Sequence, residues 1–354
     1  MKRAFILAIV LVTLIIGSSG YAVYYMLYNS APSSSSTAPH TVKITDYTNA
    51  NVTVHLPVQS IACFSSGLAE IICALGGEAK IIARLDSSVF PPSLMNVTSF
   101  GSSSRNINLE SLLSLSPDLV IADTYFPDAS RKAIEGAGVP VIMETTGDIP
   151  RLTAILTYLG EILNNTPKAT QILDDIQYYN NLIQQRIEKA NLTTNDKTTF
   201  YVELTDPWRC MANGSVQDAL LVSCGGVNIA ASNSSVTSPT LSAEVVAEAS
   251  PDVIIKLHSG STNLIDFQTK YNEIVSRPAL QDTNAVKSGR VYVCYWYLTT
   301  GELYPVGKLY FAKWLWPSLF ADINPSTIHA QLVQNYFGIN LTGTWVYSGG
   351  DAVT

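Results

Sequence analysis

The sequence predicts an α/β chain of two Rossmann-like lobes with mainly parallel sheets, joined by a single long helix. Three observations carry this expectation. Short apolar runs alternate with helical patterns along most of the chain, a block recurs at an offset of 134 residues, and the helical pattern at 167–190 is far longer than its neighbours. Strand–helix alternation points to parallel sheets covered by helices, because parallel strands need a crossover between them.

The elements follow in order. Residues 41–57 (TVKITDYTNANVTVHLP) alternate around an Asn-rich turn and read as a β-hairpin. Strands are expected at 60–64, 80–84, 118–122 and 140–144, with helices at 66–75, 108–115 and 128–137 between them. In the long pattern, Ala169, Ile172, Leu173, Ile176, Tyr179, Ile183 and Ile187 keep a 3.6-residue period, and Pro167 suits a first turn. At 1.5 Å per residue such a helix reaches roughly 36 Å, which suits a strut between lobes better than a crossover within one. Strand and helix patterns resume at 198–204, 215–224, 242–249, 252–257, 265–275, 290–296 and 304–316. The expected organisation is an anchor and stalk at 1–40, a first lobe at 41–165, a linking helix at 166–190 and a second lobe at 191–354.

The repeat is specific. Asn108-Leu109-Glu110 leads through a helix to Ser116-Pro117-Asp118-Leu119-Val120-Ile121, and Ser242-Ala243-Glu244 leads likewise to Ser250-Pro251-Asp252-Val253-Ile254-Ile255. Each block follows a Gly-Gly helix end, Gly76-Gly77 and Gly225-Gly226. Asn108 and Ser242 read as N-caps, placing each Glu in a first helical turn where the helix dipole favours a carboxylate. The dipole explains one such residue but not a matched pair. Two equivalent surface carboxylates suit docking onto a two-fold partner with cationic sites.

The N-terminus sets the compartment. Lys2 and Arg3 precede an uncharged run from Ala4 to Tyr28, long enough to span a bilayer core that takes roughly 20 residues. An uncleaved signal-anchor is expected, with cleavage near Gly20 as the alternative. A Ser/Pro-rich stalk follows at 30–39. Everything beyond Tyr28 is then outside the cell. Seven N-x-Ser/Thr sequons, at Asn51, Asn96, Asn164, Asn191, Asn213, Asn233 and Asn340, agree with an exported, glycosylated surface. With 21 basic and 28 acidic residues, the chain lacks the basic balance of a nucleic-acid binder. Only 14% of its residues are charged, and Ser, Thr and Asn supply the polar surface instead. Of five cysteines, Cys63 and Cys73 read as core residues, and Cys210–Cys224 is the expected disulfide.

Catalytic signatures are absent: no G-x-S-x-G, Walker loop, G-x-G-x-x-G or H-E-x-x-H occurs. The histidines are His40, His55, His258 and His329, too scattered for a three-His metal site. No resident cofactor or metal is expected. In open α/β sheets, ligands sit beyond the carboxyl ends of strands. This rule nominates Ser65, Ser66, Arg84, Ser103, Arg105 and Tyr125 in the first lobe, and Trp208, Arg209, His258, Tyr295 and Trp296 in the second. Flat aromatics beside Arg and Ser donors suit a large, planar or chelated, partly anionic ligand.

Five stretches carry a family resemblance: the hairpin 42–57, SSGLAEIICALGG at 65–77, FGSSSRNINLESLLSLSPDLVIAD at 100–123, LSAEVVAEASPDVII at 241–255 and VGKLYFAKWLWP at 306–317. In this order and spacing, residues 41–320 resemble the iron-siderophore and cobalamin class of ABC-transporter periplasmic substrate-binding proteins. The resemblance implies the class III binding-protein fold and capture of an iron chelate, corrinoid or haem between the lobes. It also implies delivery to an ABC permease dimer with its ATPase, with Glu110 and Glu244 at the positions that dock onto permease arginines. The N-terminal anchor departs from the lipid-anchored form common in that class. A sensor or adhesion ectodomain on the same fold and, less favoured, an extracellular enzyme are the rival readings.

Overall fold

The computed structural model describes residues 40–192, 196–231 and 236–350. The apolar run 4–28, the stalk 30–39 and the sequon at Asn233 lie outside these residues. Among the described residues no helix is long and apolar enough to cross a membrane.

Strands β1 (Thr41–Thr45) and β2 (Asn51–His55) form the predicted antiparallel hairpin, with Ile44 opposite Val52 and Val42 opposite Val54. Their alternation buries Val42, Ile44, Val52 and Val54 and leaves Lys43, Thr53 and His55 exposed. The chain then runs through β3 (Ile61–Phe64), α1 (Ser66–Ala74), β4 (Ile81–Ala83), α2 (Leu109–Ser114), β5 (Leu119–Ala122), α3 (Asp128–Gly136), β6 (Val141–Met143) and α4 (Ile149–Ile162). Helix α5 (Thr166–Lys189) follows. Beyond it come β7 (Thr198–Glu203), α6 (Val216–Ser223), β8 (Gly226–Asn228), α7 (Ala243–Ala249), β9 (Val253–His258), α8 (Leu264–Val275), α9 (Asn284–Lys287), β10 (Val291–Tyr295), α10 (Tyr304–Leu315), α11 (Pro325–Phe337) and β11 (Val346–Tyr347).

The two larger sheets share one topology. The first has the order β4-β3-β5-β6 and the second β8-β7-β9-β10, with β11 added antiparallel at the β10 edge. All other pairings in these two sheets are parallel. Strands β3, β5, β9 and the inner residues of β7 are buried on both faces, which explains why they read as unbroken apolar runs rather than alternating ones. Both sheets belong to one compact unit, residues 41–354.

The sequence repeat is a repeat of hydrogen bonds. The Asn108 carboxamide oxygen accepts from Ser111 N at 2.9 Å and caps α2; the Ser242 hydroxyl accepts from Val245 N at 3.3 Å and caps α7. Each helix is followed by a left-handed serine, Ser116 at φ 51° and Ser250 at φ 41°. Asp118 accepts from the amides of Gln59 and Ser60 at 2.8 and 2.9 Å, just before β3. Asp252 accepts from the amide and hydroxyl of Thr199 in β7 at 2.8 and 2.9 Å. Burial alone would raise both carboxyls, but these donors outweigh it and hold them below the usual carboxylate range. The Pro-Asp pair is thus a clasp joining the start of one strand to its neighbour. The Gly-Gly ends repeat as well. Gly76 and Gly225 stand at φ 80° and 84°, and a Cβ on Gly77 or Gly226 would come within 2.8 Å of Leu163 or Phe200.

Helix α5 buries Ala169, Ile172, Ile176 and Ile183, four of the seven periodic positions, with Leu173, Tyr179 and Ile187 half-buried. It packs on α4 and α10. Arg186 grips Asp322 through both carboxylate oxygens at 2.5 and 2.7 Å, and Tyr336 of α11 donates to Asp175 at 3.1 Å. Helix α4 was not anticipated from the sequence.

The expected Cys210–Cys224 disulfide does not form. All five cysteines are buried free thiols. Cys210 points to the Pro239 carbonyl, whereas Cys224 lies over the Lys308 carbonyl in a separate apolar cluster.

Candidate functional site

Parallel strands send all their carboxyl ends to one edge, so each large sheet gathers its following loops there. The two edges meet at several points. Gly301 N, beyond β10, donates to Thr146 O, beyond β6, at 3.2 Å. The Ser66 hydroxyl bonds the phenol of Tyr297, which burial raises above its ordinary value. Ser66 also lies 2.6 Å from Ser87 and 3.4 Å from Ser88, making a cluster of hydroxyls beneath that tyrosine. Alongside, a cavity of about 440 Å³ opens between the β6–α4 loop and the start of α6, lined by Tyr47, Thr145 and Asp148 on one side and Gly214, Ser215 and Val216 on the other. That volume falls within the range of small-molecule sites, roughly 300–1,000 Å³.

The nominated first-lobe residues divide. Ser66 belongs to the hydroxyl cluster. Ser65 caps α1, accepting from Leu68 N at 3.4 Å, and is buried. Arg84 differs from expectation. Its guanidinium is buried and donates to the carbonyls of Val97, Leu85, Asp86 and Met95, at 2.9 to 3.4 Å. It holds the 85–100 loop in place, leaving little to offer a ligand. Ser103 caps the short turn Ser104–Asn106. Arg105 and Tyr125 come together: the guanidinium sits 4.5 Å over the ring, and both side chains are exposed. Asp123 positions this pair, accepting from the Ser104 hydroxyl at 2.6 Å and Tyr125 N at 2.9 Å.

The second-lobe residues divide in the same way. Trp208 is half-buried at φ 64°, with the Arg277 guanidinium 4.7 Å over its ring. Arg209 is exposed and lies 3.6 Å from Asp206 and 3.4 Å from the Ser238 hydroxyl. His258 and Tyr295 are buried and structural: His258 Nε2 bonds Ser261 O and the Tyr295 hydroxyl donates to Gly260 O, both at 2.8 Å. These two bonds shape the loop after β9. Trp296 is half-buried at the start of the turn Trp296–Thr299. Glu110 and Glu244 both stand exposed in the first turns of α2 and α7.

Sequence reasoning missed Thr146, Asp148, Ser87 and Ser88. These four lie three to five residues beyond the ends of β4 and β6, in loops with no local mark of where they fold. Sequence reasoning also missed two buried acidic clusters. Glu203, at the end of β7, accepts from Lys256 Nζ at 2.8 Å, from both Arg277 nitrogens at 2.5 and 2.9 Å, and from Trp208 N at 2.9 Å. Lys256 also donates to the carbonyls of Leu204 and Thr205. Burial would raise Glu203, but the Arg277 bonds and the Lys256 charge outweigh it and hold the carboxyl below its ordinary value. The other cluster is Glu70 on α1 and Glu302 in the turn Gly301–Leu303. Both are buried, neither takes part in an ion pair among the described residues, and one Glu302 oxygen has no hydrogen-bond partner. Burial pushes both carboxyls up, and Glu302 pushes Glu70 further. Among the described residues no group of three His, Cys, Asp or Glu side chains is arranged to hold a metal ion.

Known proteins match this architecture. The model of the periplasmic binding protein family matches residues 61–295. The chain is 24% identical over 259 residues to an uncharacterised ABC transporter substrate-binding lipoprotein of Bacillus subtilis, covering 71% of this chain and 77% of the relative. It is 26% identical over 231 residues to a vitamin B12-binding protein of Vibrio parahaemolyticus, covering 64% and 80%. A periplasmic solute binding protein of Veillonella parvula has the same fold, with a TM-score of 0.71 at 22% identity, over 86% of this chain and 94% of that one. With two matched parallel sheets, a long helix between them and a family model covering both, the chain belongs to the periplasmic binding protein family of ABC-transporter substrate-binding proteins.

Proposed function

We propose that the protein is the extracellular receptor of an ABC importer, capturing a corrinoid, iron chelate or haem between its two lobes. It would hand the ligand to a two-fold permease driven by a cytoplasmic ATPase. The observation that carries this reading is the duplicated carboxylate. Glu110 and Glu244 stand exposed at equivalent places in two sheets of one topology, each behind a side-chain N-cap. A two-fold permease offers two equivalent cationic sites to such a pair. The run 4–28 would tether the receptor to the cytoplasmic membrane with residues 41–350 outside. Capture needs no covalent step, and selectivity comes from shape, aromatic contact and hydroxyl donors. A corrinoid is the first ligand to try, because a relative aligned over 64% of the chain is named a vitamin B12-binding protein.

The test is a thermal-shift and intrinsic-fluorescence titration of the full chain with cyanocobalamin, cobinamide, haemin, and hydroxamate and catecholate ferric chelates. A binder raises the melting temperature by mass action, about 2.7 kcal/mol of stabilisation at a hundredfold excess over Kd. If none of the five binds, the ligand class is wrong. If one binds but uptake survives Glu110→Ala with Glu244→Ala, the docking role is wrong.

A further inference from the structure

The sequons take on a spatial meaning once the edges of the sheets are known. The asparagines of all six described sequons are exposed, and four of them fall into two pairs at opposite edges of the sheets. Asn96 and Asn213 lie among the loops at the carboxyl ends of the strands: Arg84, just beyond β4, bonds the carbonyls on either side of Asn96, and Asn213 adjoins the cavity lined by Gly214 and Ser215. The acceptor hydroxyl of the Asn213 sequon is also occupied, since Ser215 is buried and accepts from Asp218 N at 3.2 Å as the cap of α6.

Asn164 and Asn191 bracket helix α5, one before its first turn and one after its last. Both lie at the opposite edge of the sheets. Next to Asn164, Asn165 donates to Leu75 O, in the turn that leads into β4. Beside Asn191, Leu192 packs 3.5 Å from the Cβ position of Gly225, which leads into β8. Both asparagines have left-handed backbones, φ 55° and 44°, a conformation that Asn tolerates at helix ends. Stopping a helix accounts for an asparagine there. It does not account for a threonine two residues later, yet Thr166 and Thr193 complete both sequons.

We propose that Asn164 and Asn191 carry N-linked oligosaccharides, one at each end of helix α5, on the edge turned away from the ligand-binding loops. In the step, the Asn Nδ2 attacks C1 of an oligosaccharide carried on a polyprenyl phosphate or pyrophosphate at the outer membrane face. The new N–C bond replaces the C1–O bond, the lipid phosphate leaves, and the amide gives up one proton. No oxidant or reductant is required. Glycans at these two places add bulk and hydration where the protein neither takes up ligand nor presents Glu110 and Glu244.

The experiment is mass spectrometry of intact peptides from the full chain purified from its own host's membranes. Glycopeptides are expected to dominate over bare peptides at Asn164 and at Asn191, with Asn213 bare. Asn164→Gln and Asn191→Gln should each remove one glycan mass from the whole protein, and the double variant two. Bare peptides at both positions overturn the proposal, as does occupancy of Asn213 to the same extent. The readout is a mass, so it stands whether or not any chelate binds.

Discussion

Two buried acidic clusters in this fold handle the same electrostatic problem in opposite ways. Glu203 is fully buried and stays ionised, because Lys256 and Arg277 grip both its oxygens and Trp208 N adds a third donor. Glu70 and Glu302 are as deeply buried but have no ion-pair partner among the described residues, and burial drives their carboxyls toward the protonated form. The contrast follows from position. Glu203 ends a strand whose neighbour, β9, carries Lys256 in register beside it. Glu70 and Glu302 come from α1 and from the turn after β10, elements that pack on each other, and among the described residues no ion pair reaches either. A charge network that fixes the loop after β7 is one outcome, and a proton-holding contact between α1 and the turn after β10 is the other.

The largest expected effect is at Lys256. Lys256→Met leaves Glu203 buried with one cation fewer, and breaking such a pair costs about 3–5 kcal/mol. Urea unfolding measures it; a loss smaller than that of Glu302→Gln would collapse the contrast. Next comes pH. The folded carboxyls of Glu70 and Glu302 lie above their ordinary value of 4.5, so their stability contribution is complete below pH 4.5 and is lost as pH rises from there. The slope is on the order of 1 kcal/mol per pH unit for each proton released. Glu302→Gln should flatten the fall in melting temperature between pH 4.5 and about 8, and an unchanged profile would mean that the pair does not hold a proton.

His329 should act with the opposite sign. Its ring is buried against Trp345, Nε2 has no partner, and burial lowers it to about 3. Its contribution is present above 6.5 and lost as pH falls from 6.5 toward about 3, so His329→Leu should flatten the acid limb alone. Smaller still are the N-caps: Asn108→Ala and Ser242→Ala should each cost about 1 kcal/mol. Unequal losses would show that the repeated geometry of α2 and α7 is not repeated in energy. Smallest is Glu110→Ala with Glu244→Ala, which should leave the unfolding midpoint unchanged, as for exposed residues without buried partners.

The elements legible in the sequence were those whose reason lies within a few residues of chain. The hairpin, the strand runs and the period of α5 belong to this group, and so do the caps of α2 and α7. The repeat was read as a pattern of letters, and its meaning as a clasp from Asp118 to Ser60 and from Asp252 to Thr199 needed contacts more than 50 residues apart. The site was less legible for the same reason. Arg84 reads as a ligand donor until the carbonyls around it are seen, and Glu70 reads as an ordinary helical glutamate because nothing local marks it as buried. Ser66 and Tyr297 carried a usable signal, one just after β3 and the other in the Tyr-Trp-Tyr run after β10.

The five unbridged cysteines have a practical consequence. Burial pushes the Cys63 and Cys224 thiols up to about 12 and Cys210 to about 11, and raises Cys73 and Cys294 as well, so the reactive thiolate is scarce at neutral pH. The folded protein has no disulfide to form, and reductants leave its covalent framework untouched. The native chain is also nearly silent toward maleimides. A single cysteine placed at 110 and another at 244 would therefore take a pair of dyes selectively, turning the separation of the two halves into an optical distance measurement on an otherwise unaltered protein.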